Sequence, residues 1–502
     1  MVGQYKHLVV IYEENHSFDN LYGSWGEVNG EPVEGLPAAA THTVQTAQDG
    51  KPFGCLLQND VNLTSPPLSR ICTDSVHGVP ASHFANKPFT IDDYIPAAAT
   101  TCARSEGLAP RDGVRDGTGA PGGCTRDLVH RFYQEQYQLH GGKQDRYVTG
   151  SDAVGLTMGV YDSKQLPIWK YLHGAGAPHY VIADHFFQAA FGGSFLNHQY
   201  LVAARTPVDT SDGADGARHS VVDGNGFPDK GPLYTPTRTD VVDGPLTQVC
   251  GQGANRAVAC GDFAINTMQP ANPPHRAKGV RLPQIDDVRY PNIGDRLSAA
   301  GISWNWYAGG WDDAAAGHPG PLFQFHHQPL NYFADYAPGK PGRAHLRDET
   351  EFISAVRTGT LPAVSFVKPY GAENEHPGYA SEPNGSDHLV DLLTALTTGP
   401  QAGDTLVVVT YDEFGGQWDH VSPPGMGSTS GVHDTFGPGT RIPTLVVSAS
   451  FRRSGVDHTV YDTTSILATI EHGLHLTPLS SRDAHVADMH QVLQVAGDDR
   501  TR

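Results

Sequence analysis

The sequence predicts an α/β fold: a three-layer α/β/α sandwich with a mostly parallel central sheet and long loop-rich insertions. Two observations carry that expectation. Apolar runs such as Leu406-Val407-Val408-Val409 are continuous rather than alternating, as strands covered on both faces are. Helical patterns lie between these runs, and strands alternating with helices indicate a parallel sheet sandwiched by helices.

In chain order, His7-Leu8-Val9-Val10-Ile11-Tyr12 reads as a buried strand ending in the polar turn Glu13-Glu14-Asn15-His16-Ser17. Residues 128–140 predict a helix, with Leu128, Phe132, Gln136 and Leu139 at helical spacing. A weak strand at 180–183 precedes Phe191-Gly192-Gly193-Ser194, which opens another helix. A second weak strand spans 361–367, and 386–398 is an amphipathic helix opened by a Ser-Asp cap. The strongest strand is 405–411, followed at once by Asp412-Glu413-Phe414-Gly415-Gly416. A strand at 442–448 and a helix at 463–474, with Ile466, Leu467 and Ile470 on one face, complete the pattern. The whole chain, 1–502, reads as one domain, with 30–125 and 206–280 as insertions rich in Gly, Pro, Asp and Thr.

Composition narrows the function. The 54 acidic against 34 basic side chains give a formal charge of −20, which excludes a general nucleic-acid coat, since such binding rests on Lys and Arg neutralising phosphates. No apolar run reaches the 18 residues of a transmembrane helix. Residues 1–10 carry no signal-peptide pattern. All six cysteines fall in the two insertions, and an even count in loops suggests disulfides, in sequence order 55–72, 102–124 and 250–260. The expected location is therefore secreted or periplasmic with the leader removed, and cytoplasmic is the alternative.

The chemistry concentrates in three places. Glu14-Asn15 and Asp412-Glu413 each place oxygen ligands just beyond the carboxyl end of an apolar strand, the edge where open parallel sheets bind ligands. Carboxylates converging there repel one another unless a cation joins them. Their hard oxygens suit one divalent ion, Ca²⁺ or Mg²⁺ first, with Mn²⁺ and Zn²⁺ as alternatives. Ser194 follows two glycines at a helix start, where free backbone N–H groups favour an anion; it reads as a nucleophile or a helix cap. The segment is not the G-x-S-x-G elbow of acyl-transfer hydrolases. His130, the adjacent His326 and His327, and His376 in Glu375-His376-Pro377-Gly378 could donate to phosphoryl oxygens or protonate a leaving group.

Together these segments resemble the phosphoesterase family that contains bacterial and plant phospholipases C and the AcpA-type acid phosphatases. The resemblance rests on Glu14-Asn15-His16-Ser17-Phe18-Asp19, on residues 191–199, on His376-Pro377, and on Asp412-Glu413-Phe414-Gly415-Gly416-Gln417-Trp418-Asp419-His420-Val421. It implies an alkaline-phosphatase-like fold, Ser194 as phosphoryl-accepting nucleophile, metal held by Glu14, Asn15, Asp412 and Glu413, and a phosphate pocket lined by His130, His327 (or its neighbour His326) and His376. A serine at the nucleophile position, where the phospholipase branch tends to show threonine, favours the acid-phosphatase branch. The expected activity is hydrolysis of a small phosphate ester through a phosphoserine, with an acidic optimum set by histidines of ordinary pKa, near 6.5. The alternatives are a phospholipase C acting on a phospholipid headgroup, another phosphodiesterase, and a non-catalytic phosphate- or metal-binding protein.

Overall fold

The computed structural model describes residues 5–41, 43–57, 69–99, 123–151, 154–208, 264–265, 267–279 and 281–497. Eight strands form the central sheet: β1 (His7–Glu13), β2 (His179–Ala183), β3 (Trp304–Ala308), β4 (Leu346–Asp348), β5 (Val364–Lys368), β6 (Thr405–Tyr411), β7 (Thr444–Ser448) and β8 (Gly455–Asp457). Their spatial order is β4-β3-β5-β1-β6-β7-β2-β8. Only β7 runs against its neighbours, β6 and β2; every other pairing is parallel. The two best sequence runs, β1 and β6, lie side by side at the centre, and all seven residues of β6 are buried.

The helices that matter here are α1 (Phe132–Leu139), α2 (Pro167–Leu172), α3 (Ser194–Ala203), α4 (Ile293–Ala299), α5 (Glu349–Thr358), α6 (Glu382–Thr398) and α7 (Thr464–Leu474). One group packs α6 on α2 and α5; the other packs α3 on α4 and α7. Alternation along β1 and β6 assigns the groups to opposite faces. The Tyr12 hydroxyl donates to the Asn197 carbonyl of α3, whereas Tyr411, opposite Glu13, donates to Glu375 beside the start of α6. The three layers expected from the sequence are thus present.

Two boundaries differ from expectation. Helix α6 starts at Glu382, not Ser386: the Ser381 hydroxyl caps it by accepting from the Asn384 N–H, and Pro383 sits in the first turn, where a missing N–H costs nothing. Ser386, expected as the cap, instead accepts from the Ile168 N–H of α2. Helix α1 starts at Phe132, because Arg131 is extended (φ −116°, ψ 160°), so His130 lies on the strap before the helix rather than within it. Of the expected disulfides, Cys55–Cys72 is formed and Cys124 is disulfide-bonded. Cys102, Cys250 and Cys260 lie outside the described residues, as does most of 206–280. Among the described residues, no helix is long and apolar enough to cross a membrane.

Candidate functional site

The parallel register of β1 and β6 pairs Glu13 with Tyr411, so the residues that follow emerge together at one edge. The Asp412 N–H donates to the Glu13 carbonyl at 3.1 Å, and one Asp412 oxygen, Oδ1, accepts from the Asn15 N–H (3.1 Å) and the Glu413 N–H (2.8 Å). Asn15 has a φ of 62°, a left-handed conformation that asparagine tolerates better than most residues. The turn after Glu413 passes so close that a Cβ on Gly415 would lie 2.2 Å from the Asn15 carbonyl oxygen.

Ser194 comes to this edge from α3. It is the first residue of that helix, and Gly193 is the cap; the cap role considered for the serine falls to its neighbour. Gly192 has φ +93°, and a Cβ there would lie 2.6 Å from the Phe132 N. The two glycines therefore let the strap carrying His130 cross the serine turn.

Around Ser194 Oγ, Glu14 Oε2 lies at 3.2 Å, Asn15 Oδ1 at 3.4 Å and Glu413 Oε1 at 3.4 Å. One hydroxyl proton cannot serve three acceptors. The second Asp412 oxygen, Oδ2, is buried without a hydrogen-bond partner. Glu14, Asp412 and Glu413 are all fully buried. Against these three carboxylates stands one ammonium, that of Lys368 at the end of β5, with Nζ 2.5 Å from Glu14 Oε1 and donating to the Glu13 carbonyl at 3.0 Å. Fully ionised, the three carboxylates and this ammonium would carry two net negative charges, which a divalent cation cancels.

The carboxyl pKa values follow this imbalance. Burial pushes Glu14 up, but the pull of His327, Lys368 and His376 outweighs it and holds Glu14 well below the usual range. Burial and then the Glu14 charge push Asp412 up to about 8, and burial and then Asp412 push Glu413 well up. A hard, oxygen-ligated ion fits this set.

The expected histidines converge on the same cluster. His327 Nε2 is 2.8 Å from Glu14 Oε1, His376 Nε2 is 3.9 Å from Glu14 Oε2, and His130 Nε2 is 3.6 Å from Glu413 Oε1. His130 and His376 each hold Nδ1 against a backbone carbonyl, of Leu128 and Pro377, both at 2.6 Å. That fixes the tautomer and turns Nε2 inward. Of the adjacent pair, His327 faces the carboxylates, while half-buried His326 packs edge-on against it, ring centroids 4.7 Å apart. Burial lowers the His130 pKa to about 4 and lowers His326 and His327 as well. The ordinary value near 6.5 thus does not describe these three rings, and losing the proton at lower pH leaves the direction of the expected pH dependence, a fall as pH rises, unchanged.

Two further residues belong to the site. Lys368 is one. The other is His198, one turn along α3 from Ser194; its Nδ1 lies 2.7 Å from the Ser194 carbonyl oxygen, its Nε2 3.9 Å from Glu14 Oε1, and its ring stacks on His327. Glu14, His198 and His327 could themselves hold an ion, which keeps Zn²⁺ among the alternatives.

Known proteins share this chain's pattern. The model of the Phosphoesterase family matches residues 113–477. A protein named Phospholipase C B from Mycobacterium tuberculosis is 24% identical over 411 residues, covering 75% of this chain and 65% of its own length. A Non-hemolytic phospholipase C from Burkholderia pseudomallei is 31% identical over 216 residues, 36% of this chain and 29% of that protein. The chain thus spans less than two thirds of the length of either relative. A solved structure from Vibrio parahaemolyticus, described as a protein in the alkaline phosphatase superfamily, aligns at 11% identity and a TM-score of 0.24 over 38% of this chain and 50% of that one, an overlap too partial to carry an argument. With the family pattern matched over most of its length, the chain belongs to the phosphoesterase family.

Proposed function

We propose that the protein hydrolyses phosphate esters with one divalent metal ion, by way of a phosphoserine on Ser194. The observation that carries this reading is Ser194 Oγ within 3.4 Å of oxygens from Glu14, Asn15 and Glu413. Glu14, Asn15, Asp412 and Glu413 would hold the ion, which when bound lowers the hydroxyl pKa and offsets charge on the phosphoryl oxygens. Ser194 Oγ gives its proton to a facing carboxylate oxygen of Glu14 or Glu413 and attacks phosphorus in line with the leaving oxygen, whose bond to phosphorus breaks, and the N–H groups opening α3 receive the equatorial oxygens. His130 and His376 turn Nε2 to the same space. Protonated, such a ring gives the leaving alcohol its proton; neutral, it takes one from the water that later opens the phosphoserine. Lys368 keeps Glu14 ionised, and His198 and His327 pack beside it.

Phosphomonoesters are the first reading, because the accepting residue is a serine. A diester phospholipid headgroup is the second, favoured by the names of the mycobacterial and Burkholderia relatives. The test is kcat/KM for an aryl phosphomonoester and for a choline-headgroup diester, with Ser194→Ala as control. A preference for the monoester with an inactive variant supports the first reading, and a preference for the diester supports the second. A Ser194→Ala enzyme at wild-type rate would remove the serine from the mechanism.

A further inference from the structure

A second cluster of metal-ligating side chains sits at the same sheet edge. Strands β2 and β8 are parallel neighbours with Ala183 opposite Asp457, so Asp184-His185 and His458 emerge together, as Glu14 and Asp412 do beyond β1 and β6. Because β7 is antiparallel to both β6 and β2, β2 ends on the edge where β6 ends. Three strand spacings separate the two seams, roughly 14 Å at 4.7–4.9 Å per strand. Paired catalytic metals sit about 3.5–4 Å apart, so this cluster is distinct from the serine site.

Its geometry is that of a ligand set. Asp184 is fully buried; its Oδ1 lies 3.1 Å from His185 Nδ1 and 2.9 Å from His458 Nδ1. One ligand atom from each of the three residues lies within 4.8 Å of the others. Ligands about 2.0–2.1 Å from a tetrahedral zinc stand roughly 3.3 Å apart, so a small adjustment admits the ion.

Carboxylates brace the far side of both rings: Glu34 Oε2 is 3.3 Å from His185 Nε2, and Glu31 Oε1 is 3.5 Å from His458 Nε2. A third imidazole points the same way. The His420 side chain is 5% exposed, its Nδ1 is fixed 2.5 Å from Asp19 Oδ2, and its Nε2 has no hydrogen-bond partner and faces Glu34 Oε1 at 3.8 Å. Arg441 braces the frame by donating to the backbone carbonyls of Asp184 (2.8 Å) and Glu34 (2.7 Å). His458 also lines an open groove of about 650 Å³ with Glu31 and Asp457, which gives an ion a route in.

We propose that Asp184 Oδ1 and the Nδ1 atoms of His185 and His458 bind a borderline divalent ion such as Zn²⁺, while Glu34 and Glu31 hold the Nε2 side of the two rings and so tie the 31–34 segment to the sheet. Mixed imidazole and carboxylate ligands suit Zn²⁺ better than Ca²⁺ or Mg²⁺. The competing account is a network of proton-sharing ion pairs with no ion.

The experiment uses the full chain, stripped of metal, loaded with Zn²⁺ and desalted. It compares wild type, His185→Ala/His458→Ala, and Asp412→Asn as a lesion in the other centre. Bound zinc per chain and the shift in Tm on adding Zn²⁺ are the readouts. The double variant should hold one equivalent fewer than wild type and lose the part of the Tm rise that Asp412→Asn keeps. His458→Ala alone, at a half-exposed position, should show the same loss if the double variant fails to fold. Unchanged zinc content and an unchanged Tm rise in the histidine variants would overturn the proposal and leave the ion-pair network.

Discussion

Glu135 on α1 holds the turn that carries Ser194: one carboxylate oxygen accepts from the Gly192 N–H at 2.5 Å, two residues before the serine. The same oxygen accepts from the Gln188 amide at 2.9 Å, and the other accepts from the Thr440 N–H (2.7 Å) and hydroxyl (2.8 Å). Gln188 in turn accepts from the Phe414 N–H at 2.9 Å, next to Glu413. One buried carboxylate thus joins the serine turn to the carboxylate loop. Glu135→Ala strands buried donors, at about 1–3 kcal/mol each. It should lower kcat by about 10²-fold through misplacement of Ser194 with KM little changed, and Glu135→Asp should restore part of kcat. Steady-state kinetics beside a denaturant titration checks this; a loss of stability with kcat intact would reduce Glu135 to a structural role.

Lys368 and Glu14 form a fully buried ion pair. Removing one member leaves the other charge uncompensated, which costs about 3–5 kcal/mol. Lys368→Met should therefore destabilise the fold by that order in urea unfolding. It should also weaken metal binding, because Glu14 then favours its protonated form. A variant as stable as wild type would mean that Glu14 is not ionised in the native protein.

Lys368 also marks where the sequence stops being legible. Strands β1 and β6 are legible because the uninterrupted apolar runs Leu8–Tyr12 and Leu406–Val409 occur in few other contexts, and the acids beyond them point to the sheet edge. Lys368 closes a similar run, yet its partner lies 354 positions earlier, and only the β5–β1 pairing brings them together. His198 stands four residues after Ser194, inside the 191–199 segment, but only the folded helix turns it onto Glu14 and His327. Strand β3 carries no local mark, because Trp304-Asn305-Trp306-Tyr307 lacks a β-branched run, and β4 and β8 are three residues each. Helix α6 begins four residues before the expected Ser386, with Pro383 in its first turn and Ser381 as its cap. The lowered pKa values of His130, His326 and His327 come from burial, a property of the packed molecule that local sequence does not carry.

Asp295 supplies a test of the packing away from the site. Burial, and then repulsion from Asp287 and Asp335, raise its pKa to about 7, against an opposing hydrogen bond from the Tyr336 hydroxyl. A carboxyl whose folded pKa lies above its unfolded value, about 3.9, favours the native state while protonated. Its contribution is present below that unfolded value and is lost as pH rises to about 7. Asp295→Asn should flatten the fall in Tm across this window. An identical pH profile in the variant would contradict the partly buried placement of Asp295 beside Asp287 and Asp335.

The central claim is that Ser194 takes the phosphoryl group before water does. The most direct measurement is the stereochemical course at phosphorus with a chirally labelled phosphomonoester, or with the corresponding diester if that is the better substrate. Two in-line displacements through a phosphoserine predict net retention of configuration. Net inversion would mean that water attacks phosphorus directly and would contradict the account.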